Sequence, residues 1–123
     1  MELNVERVIQ KKVFTIVKKF SFDAAHLLQG DEGKCGRLHG HTWTGEVHCR
    51  GTSGLLKDGI LVDFRAIKSV VELMDHQDLN WALGCPRPTA EVIAAHLLDS
   101  IPFAVKVILN ETEGNQVIVE HQA

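Results

Sequence analysis

An α+β fold is predicted, a four-stranded antiparallel sheet with two helices on one face, and three observations predict it. Two stretches in the N-terminal half alternate apolar and polar residues with a period of two. Two stretches in the middle repeat apolar residues at helical spacing. Two short alternating stretches close the chain on either side of a turn. The element order is therefore ββααββ, and such a sheet buries one face under its helices. The other face and two edges stay open, which favours edge-to-edge assembly of several copies into a closed barrel. A length of 123 residues suits one domain, 1–123, with a single core.

The first strand begins at Val13. Phe14, Ile16, Phe20, Phe22 and Ala24 take even positions, with Lys18 the exception, while Thr15, Lys19, Ser21 and Asp23 take odd ones. Continued without a bulge, this parity carries His26 onto the apolar face. A buried imidazole needs a hydrogen-bond partner or a metal, and a backbone carbonyl would also satisfy it. Leu27 to Leu38 holds Gly30, Gly33 and Gly36 among polar residues and reads as a loop, with Cys35 in it. From His39 to Arg50 a second strand places His39, His41, Trp43, Val47 and Cys49 on its apolar face. His48 has the opposite parity and reads as solvent-facing or interfacial. Cys49 reads as a small buried apolar residue.

Turns follow at Gly51 to Gly54 and Lys57 to Gly59. Asp63 is then a helix N-cap. Phe64, Ile67, Val70, Val71 and Met74 recur at helical spacing up to an end around Asp75 and His76. Trp81 to Pro88 reads as a connection that carries Cys85. Thr89 caps a second helix, with Ile93, Ala94, Leu97 and Leu98 on its apolar face, His96 off it, and a stop near Ser100 before Pro102. A third strand, Phe103 to Leu109, is expected to bury Phe103, Val105, Val107 and Leu109, and Glu111 continues that parity. Glu113 to Gln116 is a hairpin turn, and Val117 to Glu120 the last strand.

The composition excludes several classes. Hydrophobic residues are 45% and charged residues 24%, and the net charge is −3. No basic surplus suggests a nucleic-acid partner. No apolar run approaches the ~20 residues of a membrane span, and Met1 to Lys12 has no signal-peptide core. Three cysteines at irregular spacing make no disulfide framework, so a cytoplasmic protein with reduced thiols is expected.

The histidines carry the chemistry. On a strand, residues i and i+2 share a face, so His39 and His41 point to one place. His26, on the apolar face of its own strand, meets them if the two strands pair antiparallel. Three imidazoles with an open fourth position form the protein half of a catalytic zinc site, which polarises a bound oxygen. Cys35, beside Lys34 and Arg37 and near such a metal, suits a general base; as a fourth ligand it would instead close a structural site. Asp75 and His76 form a possible proton relay or a helix-end cap. Glu111 could accept hydrogen bonds from a heterocycle with adjacent N–H donors, or be solvated.

Six motifs in order then resemble the 6-pyruvoyl-tetrahydropterin synthase family. They are Phe20-Ser21-Phe22-Asp23-Ala24-Ala25-His26, the Cys35-x-x-x-His39-Gly40-His41 stretch, and Gly59-Ile60-Leu61-Val62-Asp63-Phe64. Met74 to Asn80, Pro88-Thr89-Ala90-Glu91 and Asn110-Glu111-Thr112 complete the set. The three-residue gap between Cys35 and His39 resembles the 6-carboxy-tetrahydropterin synthase branch of the queuosine pathway; the pyruvoyl branch typically has a longer gap. The resemblance implies the tunnelling fold, trimers closed into a barrel, and a homohexamer made of two trimers with active sites between subunits. It implies Zn(2+) on His26, His39 and His41, Cys35 as catalytic base, Asp75 and His76 as relay (donated by a neighbour), and Glu111 as anchor for the pterin's amino-pyrimidine edge. The implied reaction converts 7,8-dihydroneopterin triphosphate to 6-carboxy-tetrahydropterin, acetaldehyde and triphosphate. A 6-pyruvoyl-tetrahydropterin synthase and a non-catalytic zinc and pterin-binding module are the alternatives. Lys34, Arg37, Lys57, Arg65 and Arg87 are candidates for the triphosphate. The N-terminal dozen residues and the Asn80 to Pro88 connection depart from the family.

Overall fold

The computed structural model describes residues 2–123. Its elements run α1 (Val5–Ile9), β1 (Val13–His26), β2 (His39–Thr52), α2 (Phe64–Glu72), β3 (Gln77–Asp78), α3 (Leu79–Ala82), α4 (Ala90–Ser100), β4 (Ala104–Thr112) and β5 (Asn115–Glu120). The strand order is β3-β1-β2-β4-β5. The four long strands are antiparallel neighbours, as expected. The fifth strand, β3, is a two-residue addition that pairs parallel with Ala24 and Ala25 of β1. It was invisible in the sequence because two residues carry no periodicity.

β1 and β2 form the hairpin that places the site. Their register is continuous from Val13 opposite Thr52 to His26 opposite His39. With no bulge on β1, the even-position rule holds to the strand's end, and Phe22, Ala24 and His26 are buried. On β2 the odd positions Trp43, Val47 and Cys49 are buried. This face packs against Ile67 and Val71 of α2 and Ile93, Ala94, Leu97 and Leu98 of α4, which close the core. Each isoleucine, valine and leucine side chain among them contributes about 1.5–3 kcal/mol on burial.

Both capping residues act as the sequence implies. The Asp63 carboxylate accepts from the Arg65 amide, and the Thr89 hydroxyl accepts from the Val92 amide at 3.2 Å. Thr89→Ala is expected to lower unfolding stability by about 1 kcal/mol in a urea titration, because it leaves a first-turn N–H of α4 without its partner.

Three local expectations need correction. The helix α2 stops at Glu72, and a turn leads to Asp75 and His76, where His76 adopts φ 60°. A left-handed residue cannot continue an α-helix. Asn80 to Pro88 is not only a connection, since it includes the short helix α3. In β4 the parity breaks: Phe103 and Val105 are exposed, and Ala104 is buried in their place. The cause is a shift in the β2–β4 register, where Lys106 pairs with His48 but Ala104 pairs with Cys49, so Val105 is skipped. A bulge flips the inward face on one side of it. Val107 and Leu109 stay inward, as expected.

Candidate metal and pterin site

His26 and His39 face each other across the β1–β2 pair, and His41 lies opposite Ala24. The small alanine leaves space for an imidazole. The three rings converge, with centroid separations of 4.6 Å (His26–His39), 5.1 Å (His26–His41) and 4.8 Å (His39–His41). One ligand atom from each lies within 4.8 Å of the others. Trp43, fully buried, forms the floor: its ring is edge-on to His26 and His41, and its Nε1–H donates to the Ala24 carbonyl.

The hydrogen bonds around the rings suit metal ligation. Nδ1 of His26 lies 2.7 Å from the Pro88 carbonyl oxygen, and Nδ1 of His39 lies 2.7 Å from the Arg37 carbonyl oxygen. A carbonyl only accepts, so each Nδ1 carries the proton and each Nε2 presents a lone pair. Backbone carbonyls commonly orient metal-binding histidines in this way. Nε2 of His26 and Nε2 of His41 are buried without a hydrogen-bond partner. Orphaned buried polar atoms are costly, and two of them aimed into one cluster is the arrangement a cation would satisfy. Burial, with the neighbouring His26 and His39, holds the His41 pKa below its usual value against the opposing pull of Glu111. The neutral, ligating form of His41 is therefore favoured.

Glu111 approaches the same cluster. Its Oε1 lies 3.7 Å from His41 Nε2, beyond hydrogen-bond length, and its side chain is 30% exposed. The β4–β5 register slips here, pairing Asn110 with Gln116 and Thr112 with Asn115, so Glu111 is left out of the ladder. It is neither solvated at a frayed end nor buried in the core, and it keeps acceptor capacity beside the histidines.

Cys35 lies in a single 3₁₀ turn, Lys34–Gly36, and is exposed. It is not among the groups whose ligand atoms cluster with the three histidines. That placement separates it from the three converging imidazoles. Gly36 is needed next to it, because a Cβ there would sit 1.9 Å from the Asp31 carbonyl oxygen.

Asp75 and His76 form a second cluster. His76 Nδ1 lies 3.1 Å from Asp75 Oδ1. The Asp23 amide donates to Asp75 Oδ1 at 2.9 Å, and the His76 amide donates to the Asp23 carbonyl at 2.6 Å. The Thr42 hydroxyl donates to Asp23 Oδ1 at 2.6 Å. The Asp23 amide, first, and then the His76 ring hold the Asp75 carboxyl below its usual range, so it stays ionised at neutral pH and orients the imidazole. An open cleft of about 580 Å³ is lined by Asp23, Thr42 and His76, with His41 at one wall.

Sequence reasoning did not find the Pro88 and Arg37 carbonyls, Asp23, Thr42 or Asn80. The carbonyls carry no side-chain signal at all. Asp23 sits at a polar, outward position of β1, where an aspartate is ordinary. Two of the triphosphate candidates already have partners: Arg87 bonds the Gln29 carbonyl and Asp31 Oδ1, and Arg65 forms an ion pair with Asp63 at 2.7 Å. Lys34 and Arg37 are exposed on the Cys35 loop. His48 is not simply solvent-facing, since it is half-buried against Glu46 at 2.8 Å.

The α+β sheet with helices on one face is the tunnelling fold, as likeness to a solved structure shows. A Caenorhabditis elegans 6-pyruvoyl tetrahydropterin synthase shares the fold with a TM-score of 0.72, at 23% identity, over 92% of this chain and 99% of that one. Residues 15–122 match the profile of the 6-pyruvoyl tetrahydropterin synthase family, and the chain belongs to that family. It is 42% identical over 101 residues to a 6-carboxy-5,6,7,8-tetrahydropterin synthase of Synechocystis, covering 75% of this chain and 78% of that protein. It is also 37% identical over 114 residues to a dihydroneopterin monophosphate aldolase of Pyrococcus furiosus, covering 85% and 94%. The family is one of pterin-processing lyases. No helix among the described residues is long and apolar enough to cross a membrane.

Proposed function

We propose that the chain is a single-domain, zinc-dependent 6-carboxy-tetrahydropterin synthase. It would convert 7,8-dihydroneopterin triphosphate to 6-carboxy-tetrahydropterin, releasing acetaldehyde and triphosphate, as a cytoplasmic step of queuosine-type 7-deazapurine synthesis. The observation that carries the reading is the pair of orphaned, buried Nε2 atoms of His26 and His41 beside the third imidazole of His39. The similarity to the Synechocystis protein and the short Cys35 to His39 gap support the carboxy branch over the pyruvoyl branch.

The roles follow from position and chemistry. His26, His39 and His41 would hold Zn(2+), which when bound supplies a Lewis acid for a substrate oxygen. Cys35, exposed and outside the histidine cluster, removes a proton from the substrate side chain. Asp75 keeps His76 oriented, and His76 moves a proton at its ring nitrogen. In a homohexamer built as two stacked trimers, that pair would serve a neighbouring subunit's site. Glu111 accepts hydrogen bonds from the amino-pyrimidine edge, whose adjacent N–H donors match the two oxygens of a carboxylate.

Product analysis tests the reading. Zinc-loaded protein is incubated anaerobically with dihydroneopterin triphosphate, and the pterin and volatile aldehyde are identified by mass spectrometry. Carboxy-tetrahydropterin with acetaldehyde is the expected result. Pyruvoyl-tetrahydropterin without aldehyde would assign the sister activity to the same residues. Preferential turnover of dihydroneopterin monophosphate would align the chain with the Pyrococcus aldolase. Unchanged substrate from zinc-bearing protein would leave a pterin-binding module.

A further inference from the structure

The segment from Asn80 to Pro88 touches both halves of the proposed site. The carboxamide of Asn80 uses both ends. Its Oδ1 accepts from the Leu27 amide at 2.9 Å, and its Nδ2 donates to the Leu27 carbonyl at 2.9 Å and to the Pro86 carbonyl at 3.2 Å. Leu27 follows His26 directly. Pro86 lies two residues before Pro88, whose carbonyl accepts from His26 Nδ1. One side chain therefore pins the backbone beside a metal-position histidine and the backbone leading to the carbonyl that sets its tautomer.

The backbone of Cys35 is tied in next to the clamp. The Leu28 amide, one residue beyond the clamped Leu27, donates to the Cys35 carbonyl at 2.7 Å, and the Gln29 amide donates to the Pro86 carbonyl at 3.1 Å. The Arg87 guanidinium closes the outside by bonding the Gln29 carbonyl and Asp31. A loop rich in glycine has no sheet ladder of its own to hold it. Here its N-terminal end is tied by the α3 residue Asn80 at Leu27 and by the connection residues Pro86 and Arg87 at Gln29 and Asp31. Asp78 caps α3 by accepting from the Asn80 amide at 3.0 Å, which fixes the clamp's own backbone.

We propose that Asn80 is a positioning residue that sets the distance and orientation between the His26 metal position and the Cys35 thiol. It touches neither substrate nor metal and acts through Leu27, Leu28 and Pro86. The inference rests on the reading of Cys35 as base and His26 as ligand. A misplacement of about 1 Å between reacting groups costs on the order of 100-fold in rate. Asn80→Ala removes the clamp, and Asn80→Asp keeps the acceptor for the Leu27 amide while setting a carboxylate against two carbonyl oxygens.

The experiment compares wild type, Asn80→Ala and Asn80→Asp as full-length zinc-loaded protein, with Cys35→Ala as a reference. Zinc content, kcat and KM for dihydroneopterin triphosphate, and amide hydrogen exchange at Leu27 to Gln29 are measured. A kcat at least tenfold lower, KM within about threefold of wild type, zinc retained and faster exchange at those amides is the expected result. A merely structural role would move thermal stability without that split. Faster exchange with an unchanged kcat would overturn the proposal, as would zinc loss that accounts for the whole fall in kcat. If Asn80→Ala does not fold, Asn80→Asp decides by the kcat and KM split and by exchange at Leu28 and Gln29, since its carboxylate still accepts from the Leu27 amide. Wild type inert toward the pterin would overturn the reaction reading instead. The exchange arm then still decides, because unaltered protection at Leu27 to Gln29 in the variant would remove the clamp.

Discussion

Cys35→Ala is expected to lower kcat by about 10²–10⁴-fold, the usual contribution of a positioned general acid or base, while zinc stays at about one per chain. The geometry makes the two outcomes separable. The thiol is exposed on its 3₁₀ turn, outside the group of converging imidazoles. Its loss should leave the metal set of His26, His39 and His41 intact. Elemental analysis and steady-state kinetics on one preparation check both halves. If zinc disappears with the thiol, Cys35 is a fourth ligand, the site is of the closed structural kind, and the base must be sought elsewhere.

Removing one imidazole is expected to act in the opposite order, on the metal first. His39→Ala should weaken zinc binding by well over 100-fold, since losing a mere orienting partner of a ligand already costs 10–100-fold. Activity should fall to the level of chelator-treated wild type and recover in the latter on adding zinc. Zinc should also raise the melting temperature of wild type, because three converged imidazoles would bind it more tightly than the unfolded chain does. At a free concentration 100 times its Kd the stabilisation is about 2.7 kcal/mol. Part of that gain is the removal of two orphaned buried nitrogens. A melting temperature indifferent to zinc in wild type would contradict the metal reading directly, independent of any pterin chemistry. Comparison with the Asn80 variants then separates loss of the metal from the loss of alignment proposed for Asn80.

The histidine convergence was legible because a β-strand repeats every two residues. The parity of Phe14 through Ala24 fixes the face of His26, and His39 and His41 share a face by spacing alone. A hairpin with no register slip then brings the two strands' histidines together. Glu111 was legible only as an oddity. Its parity argument assumed a regular β4, yet β4 skips Val105 against β2 and Glu111 against β5. The glutamate nonetheless keeps the odd parity of the buried Val107 and Leu109 and comes to 3.7 Å from His41, whereas a bulge leaves no mark in apolar periodicity. Phe103 and Val105 were misplaced for the same reason.

Composition, parity and motif order thus specified an antiparallel α+β sheet, a buried helical side and a histidine end to its first hairpin. Those features depend on local periodicity, which one sequence carries in full. Tertiary structure alone decided which carbonyls orient His26 and His39, how Asp23 docks the Asp75–His76 pair, and that Asn80 spans to Leu27 and Pro86. These are contacts to backbone groups or between lone polar residues, some far apart in the chain, as with Asp23 and Asp75 or His26 and Pro88, and some as near as His39 and Arg37. Every residue offers the same carbonyl and amide, so their pairing is set by packing geometry rather than by residue type.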